Sequence, residues 1–167
     1  MATLTVQERK SSVWWALLVS ILITEGIGAT ASFFTIPQIP GWYSTLTKPS
    51  FTPPNGVFGP VWVTLYLMIA VAAWLVWKQH HNDLKYRRTR NVYLVQLLLN
   101  FSWSMVFFRL ESILGGLVVI TLLWFSIIVN IIYFARYSKV AAWLLVPYLL
   151  WVSYASMLNL YIYILNR

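Results

Sequence analysis

Residues 113–134 read ILGGLVVITLLWFSIIVNIIYF. No charged residue stands in this string, and Thr121, Ser126 and Asn130 interrupt its apolar character only singly. A helix of about 20 residues crosses a hydrocarbon layer of about 30 Å, and this run has that length. Four further apolar runs of comparable length flank it, at 13–34, 58–77, 92–108 and 140–165. The run at 92–108 is the shortest, with ends that extend into Asn91 and Arg109. Charges fall in the gaps, at 78–90, 109–111 and 136–139. None of the runs alternates with a period of two between turn signals, which argues against a β-barrel. The chain therefore reads as all-α: an integral membrane bundle of five transmembrane helices forming one domain over residues 1–167.

Composition supports this class. Hydrophobic residues make up 60% of the chain and charged residues 10%, against about a quarter charged in soluble domains. A soluble core of this size could not hide so much apolar surface, whereas lipid tails solvate it. Cysteine is absent, which removes disulfides and thiolate metal sites. The net charge of +8 would suggest nucleic acid in a soluble protein. Here the basic residues sit between apolar runs, and the expected partner is the lipid bilayer rather than nucleic acid.

Orientation follows from the same residues. With the N-terminus cytoplasmic, that side holds Arg9, Lys10, Lys78, Lys85, Arg87, Arg88, Arg90, Arg136 and Lys139, and the opposite side holds Lys48, Arg109 and Arg167. The positive-inside rule prefers this arrangement in a bacterial cell membrane. It says little about a mitochondrial outer membrane, the expected location in a eukaryote. Arg9, Lys10, the apolar stretch after them and Ala29-Thr30-Ala31-Ser32 also resemble a secretory signal, but apolar residues resume at Phe33 and Phe34. Five helices do not divide into inverted halves.

The connection 35–57 holds Pro37, Pro40, Pro49, Pro53 and Pro54 together with Trp42, Tyr43 and Phe51. Proline restricts alternatives to one backbone conformation, and the aromatic rings have area to pack down. A mobile linker needs neither. The segment reads as an ordered lid over one end of the bundle, with Lys48, Pro49, Pro53 and Pro54 as its characteristic residues. A proline-stiffened turn with interfacial aromatics is the plainer alternative.

Three blocks carry a family resemblance. The first is Gly41-Trp42-Tyr43-x-x-Leu46-x-Lys48-Pro49-x-x-x-Pro53-Pro54, followed by Phe58-Gly59-Pro60-Val61-Trp62-x-x-Leu65-Tyr66. The second is Gln96-Leu97-x-Leu99-Asn100-x-x-Trp103-x-x-x-Phe107-Phe108. The third is Val146-Pro147-Tyr148-Leu149-x-Trp151-x-x-x-Ala155-x-x-Leu158-Asn159. Together they resemble the tryptophan-rich sensory protein / translocator protein family (TspO/MBR). That resemblance implies a five-helix bundle that requires no cofactor and binds porphyrin or haem as ligand. In eukaryotes it also implies binding of sterols and synthetic drugs. The role expected from it is that of a sensor, scavenger or transporter. The resemblance further implies that Trp42, Trp62, Asn100, Trp103, Trp151 and Ala155 line a ligand cavity beneath the loop. A homodimer through a small-x-x-x-small stripe in the third helix is part of the family pattern, but here that stretch is Asn91, Val95 and Leu99.

The residues themselves leave two readings open. Trp62 and Tyr66 are spaced i, i+4, Trp103 lies between Asn100 and Phe107, and Tyr148, Trp151 and Ala155 follow one stripe. Converging stripes would make either a packed core or a pocket walled by flat rings, and a pocket suits a macrocycle. Of the ten tryptophans, Trp14, Trp15, Trp74, Trp77 and Trp143 lie near run ends, where indole suits the bilayer interface. Trp124 has only packing to explain it.

Glu25 is the acidic residue within a span, hence a functional candidate by default. The plainer expectation for it is a structural hydrogen bond, with Asn130 or a serine. The asparagines Asn100, Asn130 and Asn159 suit interhelical hydrogen bonding, and Gly26, Gly28, Ser32, Ser112, Gly115 and Gly116 suit close helix approach. His80 and His81 lie in the basic segment, away from any Cys/His set, so no metal site is expected. Leu158, Tyr161 and Arg167 fit the weak pattern proposed for cholesterol contact. Two other functions compete with ligand binding. One is light-dependent oxidative degradation of porphyrin, with Trp62 or Trp151 supplying an electron. The other is a drug/proton antiporter working through Glu25.

Overall fold

The computed structural model describes residues 6–80 and 84–167. The side chains of Arg9 and Lys10, which enter the charge count, and His81 lie outside the described part. The described residues contain helices and connections and no strand. Among the described residues five helices are long and apolar enough to cross a membrane, which makes this an integral membrane protein built as a five-helix bundle.

The first span is α1 (Val6–Thr35). A 3-10 turn at Ile36–Gln38 and the short α2 (Trp42–Thr45) follow it. The second span is α3 (Asn55–Lys78), with Pro60 in its opening turns. Pro60 lies past the first helical N–H groups that lack a partner, so its missing N–H leaves the Gly56 carbonyl without the donor a continuous helix would supply. The third span, α4 (Leu84–Ser104), runs on into a π-helical stretch, Met105–Arg109. The fourth is α5 (Ile113–Ala135), capped by Ser112, whose hydroxyl accepts the Gly115 N–H at 3.2 Å. The fifth is broken into α6 (Lys139–Leu144) and α7 (Val146–Leu165), with Pro147 opening α7. Proline at the first turn of a new helix is compatible, whereas proline inside a continuous one is not.

The third span starts earlier than the apolar pattern predicts. Residues 84–91 are helical, although their charges read as a loop. Hydropathy marks where a helix meets hydrocarbon, and Lys85, Arg87, Arg88 and Arg90 are exposed on turns that precede that point.

The packing fixes the order of helices around the bundle. α1 lies against α3 and α4, α4 against α5, α5 against α6 and α7, and α6 closes back on α3. The interior holds Ile69, Leu123, Ile127, Tyr148 and Val152, all fully buried. Large apolar side chains also cover the outside, with Leu22, Phe33, Leu98, Val118 and Leu150 more than half exposed. In water that surface would drive aggregation, whereas in lipid it is solvated. Two close approaches tighten the packing. A Cβ at Gly28 would collide with the Tyr66 ring, and one at Gly116 would lie 2.6 Å from the Phe107 ring. Gly26 has open space around it, so small size there serves no close contact.

Candidate functional site

A cavity of about 490 Å³ lies between the first, second, third and fifth spans, under the 35–57 connection. Its aromatic wall comes from α3 and α4. Trp62 and Trp103 face each other with ring centroids 6.1 Å apart, and Phe107 stacks on Trp103 at 6.0 Å and 19°. Phe107 belongs to the π-helical stretch, which widens the turn there and so sets its ring direction. Ala155 of α7 contributes a small floor where a larger side chain would intrude.

The polar lining is sparse. Tyr66 donates to Asn100 Oδ1, and Trp103 Nε1 approaches Asn159 Oδ1 at 3.4 Å. Glu25, Ser32, Thr35 and Ser104 add oxygen atoms, and among the described residues no basic side chain stands in the lining. Asn159, which its sequence position marks only as a link between helices, also faces the cavity.

Behind this wall runs a buried hydrogen-bonded chain. Asn100 Nδ2 donates to the Tyr148 hydroxyl at 2.7 Å, and Gln96 Nε2 donates to the same oxygen at 2.9 Å. Asn130 Nδ2 donates to Gln96 Oε1 at 3.2 Å. With the Tyr66–Asn100 bond it ties together four spans and fixes the orientation of Asn100 at the cavity edge.

The connection is ordered and pinned. Thr47 and Asn166 exchange two hydrogen bonds of 2.9 Å, joining the loop to the end of α7. The Tyr154 hydroxyl donates to Phe51 O at 2.7 Å, and the Phe51 ring meets Tyr161 edge-on at 5.3 Å. Lys48 Nζ donates to Tyr43 O at 2.7 Å and Leu46 O at 2.9 Å, and lies 4.8 Å from the Tyr43 ring centre. Its charge therefore serves the folding of the loop. Thr35, Ile36, Ile39, Tyr43, Asn55 and Gly56 are the connection's contributions to the lining. Lys48, Pro49, Pro53 and Pro54 do not line the cavity; they shape the segment that covers it. Burial pushes the Tyr43 hydroxyl above the ordinary tyrosine range.

Of the nine ligand-contact candidates, Trp62, Tyr66, Asn100, Trp103, Phe107 and Ala155 line the cavity. Trp42, Tyr148 and Trp151 stand outside it. Trp42 packs edge-on against Phe107 at 5.4 Å. Tyr148 is fully buried, held back by Gln96 and Asn100. Trp151 packs on Phe58 at 5.7 Å, with its buried N–H unpartnered among the described residues. The stripe spacing of the fifth helix is met, and of its three residues Ala155 lines the cavity.

The first span supplies a wall that no sequence motif marks. Gly28, Ala29, Ala31 and Ser32 form its smooth surface, and Glu25 lies in it. The expected Glu25–Asn130 bond is not formed, because Asn130 faces Gln96 in the core. Trp124, unexplained by the sequence, donates to Ser153 Oγ at 2.7 Å and joins the fourth and fifth spans. Leu158 is buried in the lining while Tyr161 is exposed beside Phe51, so the residues of the sterol-type pattern do not share a surface. His80 is hydrogen-bonded to Trp77 O and stacks on Tyr86 at 4.2 Å. Among the described residues no group of three metal-ligating side chains occurs.

The TspO/MBR family profile matches residues 13–165. The chain is 44% identical over 151 residues to the tryptophan-rich protein TspO of Archaeoglobus fulgidus, covering 90% of this chain and 96% of that one. It is 43% identical over 144 residues to the protein of the same name from Chlorobaculum tepidum, covering 84% and 89%. It is 36% identical over 119 residues to the human translocator protein, covering 71% and 70%.

Proposed function

Since the chain belongs to the TspO/MBR family, we propose that it binds tetrapyrroles, protoporphyrin or haem, in the loop-capped cavity, and acts as their sensor, scavenger or transporter. The observation that carries this reading is the facing pair Trp62 and Trp103, extended by Phe107, along one wall of a 490 Å³ apolar cavity. Flat rings offer a flat ligand both buried area and offset stacking, about 0.5–1.5 kcal/mol per pair beyond burial. Among the described residues the lining has Glu25 as its carboxylate and no cation. A macrocycle therefore enters with its apolar edge first and leaves its propionates at the mouth, near the loop. A sterol fits the same apolar wall, with Glu25 or Asn159 accepting its hydroxyl.

The bilayer that suits the charge pattern is a bacterial cell membrane, with the N-terminus cytoplasmic. Titration of purified protein with protoporphyrin, read by absorbance and tryptophan quenching, tests the reading. Saturable quenching in the dark supports binding, and its absence removes the proposal.

A second reading draws on the same ring pair. Trp62 and Trp103 lie close enough to the ligand volume to give an electron to photoexcited porphyrin. Illumination of the saturated complex in air separates the two. A stable spectrum leaves binding alone, while a new chromophore that accumulates with turnover supports oxidative degradation.

A further inference from the structure

A second cavity, of about 400 Å³, lies towards the opposite end of the bundle, among α1, α3 and α4. Tetrapyrrole binding under the loop makes no use of it. Trp15, Val19 and Ile23 of α1 and Leu94 of α4 line it, and each is at least half exposed on the lipid-facing surface. The cavity is thus a crevice that opens sideways into the bilayer. Its inner wall is Trp74, Trp77 and Tyr93. The indole N–H of Trp74 is satisfied by Val13 O at 3.0 Å and leaves only an apolar face to the crevice.

Among the described residues, Arg90 is the charged side chain in the lining, and no described carboxylate stands with it. It is exposed and lies one helical turn before Leu94, at the end of the crevice nearest the polar segment. Arg87, one turn further out, extends the same face. Lys78 lies 4.6 Å over the Trp74 ring, and the Tyr86–Tyr137 contact brings the turn carrying Arg136 and Lys139 to this end. Asp83 and the side chain of Glu8, the acidic groups nearest this end in sequence, lie outside the described residues.

A long apolar slot open to lipid, with a guanidinium at its polar end, matches one molecule of one chemistry. We propose that the crevice binds an anionic phospholipid, with an acyl chain against Val19, Trp74 and Leu94 and the phosphate on Arg90. Guanidinium and phosphate pair through directed, charge-assisted hydrogen bonds, and basic pockets between transmembrane helices suit anionic headgroups. The site is separate from the loop-capped cavity and shares no lining residue with it.

The test uses the full chain in detergent, presented with equal amounts of phosphatidylglycerol and phosphatidylcholine, and counts the lipid retained by native mass spectrometry. Wild type should retain one phosphatidylglycerol in preference, and Arg90→Gln should lose that preference by about fivefold, the factor expected for one basic group. Ala16→Phe, which fills the slot, should reduce retention of both lipids, and Arg88→Gln, outside the lining, should change it less than Arg90→Gln. Thermal melting in each lipid shows whether the variants are folded, and a folded Arg90→Gln should lose the extra stabilisation by phosphatidylglycerol. Equal retention of the two lipids by wild type overturns the proposal. So does an unaltered Arg90→Gln, or displacement of the lipid by millimolar inorganic phosphate, which would make the site one for a free anion. Loss in Arg90→Gln with no effect of Ala16→Phe would reduce the finding to surface attraction and overturn the crevice.

Discussion

Asn100 on the third span donates to the Tyr148 hydroxyl on the fifth at 2.7 Å, directly behind the aromatic wall of the loop-capped cavity. Tyr148 is fully buried and its oxygen also accepts from Gln96, so two amides depend on this one atom. Asn100 in turn accepts from Tyr66, which faces the cavity. The hydroxyl of a residue outside the cavity therefore sets the position of two residues that line it.

The first prediction follows from that dependence. Tyr148→Phe keeps the ring and leaves the Asn100 and Gln96 donors without their acceptor. Stability should fall by about 1–3 kcal/mol, the cost of unsatisfied buried polar groups. Porphyrin affinity should fall as well, because Asn100 is released. A melting curve and a titration on the same preparation check both. Unchanged melting would mean that the hydroxyl carries no structural weight.

The second prediction concerns the lid. Asn166→Ala removes both bonds to Thr47, and Tyr154→Phe removes the bond to Phe51 O. These bonds hold the loop and not the bundle, so affinity should drop several-fold while the melting temperature moves by a few degrees at most. Pro53→Ala with Pro54→Ala should act in the same direction by widening the loop's alternatives. Ligand dissociation rates give the most direct readout, since a loosened lid should speed release. A large drop in melting temperature at unchanged affinity would make the segment a structural brace.

The third prediction is topological. The Thr47–Asn166 pair puts the first connection and the end of the fifth span at one end of the bundle. The Trp74–Val13 bond puts the start of the first span and the end of the second at the other. Reporter tags at Met1 and near Lys85 should therefore share a side, and tags near Lys48 and Arg167 should share the opposite one. The charge asymmetry assigns Met1 to the cytoplasm in a bacterial membrane. A cytoplasmic report from Lys48 would reverse the assignment.

Particular residues explain how far a sequence carries in such a fold. Trp62, Tyr66, Asn100 and Trp103 are legible because i, i+3 and i, i+4 spacing survives into any straight helix. Tyr148 has the same spacing, but two amides on another helix, which no periodicity reveals, hold it out of the cavity. Glu25, Gly28 and Ser32 are not legible as a wall because small residues form no stripe; they show only as space left beside Tyr66. Lys48 stands out for its motif, but its role inside the loop depends on where the Tyr43 and Leu46 carbonyls point. The helical start at Leu84 is hidden because charge marks the edge of lipid and not the end of a helix.

The last prediction separates wall from support within the aromatic set. Trp62 and Trp103 line the cavity, and Trp151 stands outside it against Phe58 and Tyr154. Trp62→Ala should weaken porphyrin binding by about 1–3 kcal/mol, through lost stacking and lost buried contact. Ala155→Phe should weaken it by the opposite change in volume, filling space that the ligand needs. Both act selectively on binding if the cavity is the site. Trp151→Ala should instead lower stability, by about 3 kcal/mol as for large-to-small changes in a packed interior, with a smaller effect on affinity. Trp143→Ala is the control, since that side chain is 72% exposed and lines neither cavity. Titration and melting of all four variants in one detergent give the comparison. If Trp62→Ala and Ala155→Phe bind porphyrin as the wild type does, the ligand sits elsewhere, whatever their melting temperatures.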